Sequence, residues 1–248
     1  MNIFEAIIDH IKKDAPVKEV RKGLYWTAVV SAHCGLASTM IKDVCREGDD
    51  EDTVPRSYAG KSALEIAKRI FSDDISEASL ALAAINSLIA IDESRCVEMN
   101  AEEFLMDRGA GKNVSVIGHF PFTERLRRET KNLWVIEKHP KPGDIGENEA
   151  EKYLPRSHVI AVSSTTLINH TLLPLLRLCP EQSIKMLLGP TTPMADTIFD
   201  FGIDIVCGSK VVDEQTALRS ISEGANFRQL KRTGSVRLIT MTSKKLRG

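Results

Sequence analysis

Net charge is nearly absent: 33 Lys and Arg residues offset 34 Asp and Glu, leaving −1. No chain-wide field therefore favours nucleic acid or an anionic membrane surface. The densest basic run, Arg125, Arg127 and Arg128, has the spacing of a solvated helix face. Long uncharged apolar runs are missing too, and none nears the roughly 18 residues that a membrane span needs. The first residues, MNIFEAIIDHIKKDAP, read as a charged amphipathic helix. They lack the apolar core and small-residue cleavage site of a signal peptide. Cysteine is sparse and scattered over Cys34, Cys45, Cys96, Cys179 and Cys207, an odd number with no CxxC. That pattern argues for reduced thiols in the cytoplasm, against both a disulfide framework and a thiolate zinc site.

What is present is a globular composition, 42% hydrophobic and 27% charged over 248 residues, enough for one large or two small domains. Ile3, Phe4, Ile7, Ile8 and Ile11 recur at helical spacing. Residues 17–20 and 24–31 read as strands joined at Gly23, with His33, Cys34 and Gly35 following at a strand end. Residues 46–61 are acidic and turn-forming, which predicts an exposed loop. Residues 62–71 and 76–91 read as helices; the second is so rich in Ala, Leu and Ile that both its faces should be covered.

From Asn100 the texture changes. Asn100 with Glu103 fits a capping box, and Gly109 and Gly111 end that helix. Short apolar runs at 113–117, 133–137, 158–162, 184–188, 204–207 and 236–241 then alternate with helical stretches at 123–131, after Thr166, at 194–201 and at 214–223. Such alternation predicts a mostly parallel sheet of about five or six strands covered on both faces.

In open α/β sheets, ligands bind beyond the carboxyl ends of the strands, near the point where strand order reverses. The residues there are Gly118 and His119, Glu137 and His139, Ser164, Thr165 and Thr166 with Asn169 beyond, Gly189 with Thr191 and Thr192, and Gly208. Two readings fit this enrichment. One is turn chemistry: Ser and Thr cap helices, and Thr192 before Pro193 suits an N-cap with proline at the first helical position. The other is a cradle of N–H groups and hydroxyls for an anionic or carboxylate ligand. So many such loops on one sheet edge favour a site.

The GHFPF loop departs from GxGxxG, so the close backbone approach to a pyrophosphate is lost. Glu137, however, ends the second strand about 20 residues on, where a dinucleotide fold puts its ribose-gripping acid. No Walker lysine, HExxH or GxSxG occurs. His33, Cys34, His119 and His139 are the candidate metal ligands, since imidazole and thiolate suit borderline metals. A lone loop histidine is as readily a hydrogen-bonding residue.

The segments EKHPKPGD (with Glu137, Pro140, Gly143 and Asp144), KYLPRSHVIAVSSTTLINHT, LLGPTTP, Phe201-Gly202 and Cys207-Gly208-Ser209, with YWTAVV and His33 to Ala37 earlier, resemble a small prokaryotic family described as "putative heavy-metal chelation". The resemblance covers nearly the whole chain. It implies a small enolase-N-terminal-like α+β domain joined to a Rossmann-like domain, with a ligand pocket in the cleft between them.

The sequence thus predicts an α/β protein: residues 1–95 a small α+β enolase-N-terminal-like domain, and 96–248 a Rossmann-like domain. The leading expectation is a ligand-binding protein of metal metabolism, with a transition-metal ion or a metal-bearing small molecule as the bound species. The rival is an enzyme acting on a small metabolite with a nucleotide-like cofactor, in which Glu137 grips a ribose and a histidine serves as acid or base. A scaffold without a small-molecule site is the third option, and the hydroxyl-rich strand ends argue against it. Neither nucleic acid nor membrane is expected as a partner; a second copy of the chain remains open.

Overall fold

The computed structural model describes residues 2–41, 57–97 and 99–246. Most of the acidic loop expected at 46–61, and Cys45, lie outside the described residues. The elements in chain order are α1 (Ile3–His10), β1 (Glu19–Lys22), β2 (Trp26–Val30), β3 (Cys34–Ser38), α2 (Ala63–Ala67), α3 (Ile75–Leu88), β4 (Cys96–Val97), α4 (Ala101–Gly109) and β5 (Asn113–Ile117). After these come α5 (Thr123–Glu129), β6 (Asn132–Glu137), β7 (Ile145–Gly146), α6 (Ala150–Tyr153), β8 (Val159–Ser163), α7 (Thr165–Ile168), α8 (Leu172–Arg177) and β9 (Ile184–Leu188). The last are β10 (Ile205–Val211), α9 (Glu214–Ser222), α10 (Phe227–Arg232) and β11 (Val236–Thr242). Among the described residues no helix is long and apolar enough to cross a membrane.

The chain forms two compact units, Met1–Ile91 with Ser209–Leu238, and Asp92–Gly208 with Ile239–Gly248. In the first, β1, β2 and β3 make an antiparallel sheet in that order. The third strand departs from the sequence reading. Cys34 and Gly35 lie within β3, paired with Val30 and Val29, and His33 sits in the turn before it. The strand forms because Gly35 lets its backbone press onto α3: a Cβ there would stand 2.2 Å from the Ser87 nitrogen. Helix α3 is buried continuously over 78–85, as its composition predicted. Segment 209–238 belongs to this unit because Leu218, Ile221, Leu230 and Val236 share one apolar cluster with Trp26, Ala28, Val30 and Leu36.

The larger sheet is mostly parallel, with strand order β4-β11-β10-β9-β8-β5-β6-β7. Pairing is parallel from β10 through to β7 and antiparallel between β11 and β4. The two-residue strands β4 and β7 lengthen it beyond the strands that the sequence makes visible. Its inner strands are buried on both faces, which is why they read as unbroken apolar runs. Val114 and Val116, Val159 and Ala161, and Met186 and Leu188 form one core with Leu105 and Leu126. On one side of β5 lie β6 and β7; on the other lie β8, β9 and β10. Strand order therefore reverses between β5 and β8, and the loops after those two strands flank the crevice that such a reversal opens.

Two local expectations change. Asn100 caps α4 through the Glu102 amide. Thr192 does not cap a helix: the 3-10 helix begins at Asp196, with Ala195 before it, and the Thr192 hydroxyl donates back to the Gly189 carbonyl.

Candidate functional site

The loops beyond β5, β8 and β9 are stacked against one another with no spare room. Gly118 ends β5 with φ +99°, and a Cβ there would stand 2.8 Å from the Ser163 Cβ. Gly189 ends β9 with φ +134°, and its Cβ would meet the Ser164 hydroxyl at 2.5 Å. Both positions require glycine twice over, for backbone conformation and for space. Gly208, expected past a strand end, lies within β10, and a Cβ there would stand 2.8 Å from the Thr192 carbonyl oxygen. Loop packing therefore joins the strand ends of the second unit into one surface.

Hydrogen bonding decides which polar groups on that surface are available. The N–H groups of Gly118, Ser164 and Gly189 donate to the carbonyls of Ile136, Leu188 and Cys207. They extend the sheet ladder and are not offered to a ligand. The Thr166 hydroxyl donates to the Ser163 carbonyl at 2.6 Å. The Asn169 carbonyl oxygen accepts from both the amide and the hydroxyl of Thr171, which is turn chemistry. Thr191 and Thr192 are buried. For Thr166, Asn169 and Thr192 the bonds are those of local turns.

The groups that remain cluster at the reversal point. The hydroxyls of Ser163 and Thr165 share a hydrogen bond of 2.8 Å and both are partly exposed. His119 follows Gly118, and its Nδ1 lies 3.6 Å from Oδ2 of Asp144. Asp144 is held by a reciprocal turn: it accepts from the Lys141 amide at 3.0 Å, and its own N–H donates to the Lys141 carbonyl. Its side chain is only 4% exposed, so the carboxylate has little water to face and the imidazole is its nearest cationic partner. Glu137 ends β6 at the same edge, paired with Gly146 of β7, and is partly exposed. Phe120 and Phe122 stack at 5.1 Å in the loop that carries His119.

Ser163 and Asp144 matter more to this arrangement than their sequence context suggests. Ser163, expected just past a strand, is the last residue of β8, and Asp144 belongs to a turn far along the chain from His119. Topology joins them: β7 starts beside the end of β6, which brings Asp144 to the carboxyl edge.

The four candidate metal ligands divide between the units. His119 carries Asp144 beside it, and His139 is exposed two residues beyond β6. In the first unit His33 is exposed, and burial pushes the Cys34 thiol up to about 12, with Glu214 and Glu19 adding to the effect. A thiol so held stays protonated at neutral pH, and a metal ligand must be the thiolate. Among the described residues no three His, Cys, Asp or Glu side chains are grouped as a metal ion would require. The donor set fits a single imidazole contact at His119 rather than a closed cage. The basic run resolves into surface pairs, Arg125 with Glu102 and Arg127 with Glu124.

Similarity to known proteins follows the same lines. The chain is 27% identical over 191 residues to an uncharacterised protein of Methanocaldococcus jannaschii, covering 74% of this chain and 72% of that one. It superposes on a crystal structure of a DUF364-family protein of unknown function from Desulfitobacterium hafniense, with a TM-score of 0.81, 24% identity and coverage of 97% and 98%. A second structure of that family, from Pyrococcus horikoshii, gives 0.79, 19% identity and the same coverage. Residues 4–89 match a family described as "Putative heavy-metal chelation". Residues 100–240, more than half of the chain, match the DUF364 family of the same description, and the chain belongs to that family.

Proposed function

We propose that this chain is a ligand-binding protein of metal metabolism that takes a metal-bearing small molecule at the ends of β5, β6 and β8. The observation that carries the reading is the pairing of His119 with the buried Asp144, beside the Ser163 and Thr165 hydroxyls. With the Asp144 carboxylate 3.6 Å from Nδ1, Nε2 is the imidazole's single donor for a metal. One donor is too few for a closed protein site, so the metal arrives already held by an organic ligand. The hydroxyls then hydrogen-bond that ligand's carboxylate or phosphate oxygens. The chelation description of the family supports the same class of cargo.

The test is a thermal-shift and absorption series with Co²⁺ alone and with Co²⁺–citrate. The citrate complex should raise the melting temperature with concentration and change its visible spectrum on binding. His119→Ala should lose the spectral change. Equal stabilisation and identical spectra in wild type and His119→Ala would overturn the reading.

Glu137 supports a second reading, an enzyme with a nucleotide-like cofactor. It ends β6, next to β5 in the sheet, as the ribose-binding acid does in a dinucleotide fold. Adenosine or AMP should then stabilise the protein and Glu137→Ala should remove the effect. A nucleoside response without any response to cobalt would favour the enzyme over the chelate carrier.

A further inference from the structure

The opposite edge of the same unit holds a second group of polar side chains, remote from the strand ends that carry His119. Lys185 and Asp204 stand at the starts of β9 and β10, joined by the Asp204 amide donating to the Lys185 carbonyl. Ser243, just past β11, donates its N–H to the Asp204 carbonyl at 2.8 Å. Beside it lies a cavity of about 550 Å³ lined by Arg95, Asp196, Thr197, Asp200, Ser243 and Lys244, among others. That volume suits a small metabolite.

Two features of this cavity point to a ligand. The hydroxyl oxygens of Thr197 and Ser243 are both enclosed and have no hydrogen-bond partner among the described residues. A buried hydroxyl without a partner carries a free-energy penalty, and native structures hold few of them. Here the residues that carry two of them line one cavity. The second feature is charge. Lys245 is committed to the buried Asp204 at 3.3 Å, and Arg95 donates to Asp196 at 2.6 Å. Among the described residues Lys244 has no ion pair, and it adds a cation to the rim.

We infer that this cavity binds the phosphate group of a small metabolite. A tetrahedral oxyanion presents acceptors in several directions at once, so it can take two hydroxyl donors together with the Lys244 ammonium. The Thr197 and Ser243 hydroxyls reach it by rotation about χ1. Asp200, on the same rim, accepts from a hydroxyl of the ligand and disfavours a more highly charged polyphosphate.

Inorganic phosphate is the probe, with acetate as the planar comparison, on the full chain. Phosphate should raise the wild-type melting temperature with concentration, and acetate should do so less at equal ionic strength. Thr197→Val and Ser243→Ala should leave the ligand-free melting temperature unchanged or higher, because neither hydroxyl has a partner to lose. Each should weaken phosphate by about tenfold, as should Lys244→Ala, the size of one charge-assisted hydrogen bond. The Thr197→Val, Lys244→Ala double variant should show no phosphate response. A wild type indifferent to phosphate, equal affinity in all variants, or a Thr197→Val protein that is less stable without ligand would each overturn the assignment.

Discussion

Gly118→Ala tests whether the strand-end loops form one packed surface. The alanine meets two costs. At φ +99° a side chain forces a sparsely populated backbone conformation, about 1–3 kcal/mol. Its Cβ would also stand 2.8 Å from the Ser163 Cβ, where carbon atoms prefer roughly 3.5–4.0 Å; overpacking of this kind costs about 1–3 kcal/mol. The sum is roughly 4 kcal/mol, with about 2 as the floor. The two costs separate in a double-mutant cycle with Ser163→Gly, which removes the clashing atom and leaves the backbone cost in place. Ser163→Gly alone should cost about 1 kcal/mol, from a glycine within a strand and the lost bond to Thr165. Added to Gly118→Ala, it should recover about 1–3 kcal/mol as coupling.

The chain contains only two tryptophans, one in each unit, and this makes the assay local. In a Trp26→Phe background the fluorescence of Trp134 on β6, opposite Ser115 of β5, reports urea unfolding of the second unit. The midpoint should fall by about 2 M for Gly118→Ala at a slope near 2 kcal/mol/M and partly return in the double variant. A Gly118→Ala protein within about 0.5 kcal/mol of wild type, or a cycle with no coupling, would refute the packed surface.

Three further outcomes follow from the structure. The Asp14 carboxyl is pushed up by burial, but bonds from the Ser62 hydroxyl and the Leu64 and Ala15 amides outweigh this and hold it below its ordinary value. Its contribution is therefore present above the unfolded value of 3.8 and lost as pH falls through the lower folded value. An acid titration of melting temperature should be flatter in Asp14→Asn, and identical curves would contradict it. Burial raises the thiols of Cys34 to about 12 and of Cys179 and Cys207 to about 11. All three should resist iodoacetamide at pH 8 in the folded protein and react in urea, with peptide mass spectrometry locating the label; rapid native labelling of Cys34 would contradict this. Leu126 is fully buried in the core beneath β5, so Leu126→Ala should cost about 2–5 kcal/mol by the Trp134 assay, and a smaller loss would mean the site collapses around it.

The elements most legible in the sequence were those that burial alone specifies. The strands β5, β8 and β9 are apolar on both faces, and such runs show themselves without help from neighbours. Strand β3 does not. Its CGLAS sequence includes glycine and alanine, which have little intrinsic preference for a strand, and it forms because its backbone docks on α3. Helix α10 carried a readable signal, the reciprocal cap of Asn226 and Gln229. Its apolar content is so low that periodicity did not reveal it. The assignment of segment 209–238 was likewise invisible, because the cluster of Leu218 and Ile221 with Trp26 and Val30 joins residues from opposite ends of the chain.

The strand-end loops were legible in the sequence, but what their side chains bond was not, and the reason is hydrogen-bond competition. The strand-end rule names these loops from topology alone. It cannot say whether a threonine in such a loop faces a ligand or its own backbone. Thr166 and Thr192 donate to carbonyls three residues back, a bond available to any Ser or Thr in a tight turn. Ser163 and Thr165 differ only in bonding each other, which leaves acceptor capacity on both. His119 gains its distinct character from Asp144, and that pairing depends on the short parallel strand β7. A search for metal ligands by residue type gives Cys34 and His119 equal weight. The structure separates them: burial, with nearby acids adding to it, keeps the thiol protonated, and the imidazole stands exposed with a carboxylate 3.6 Å from its Nδ1.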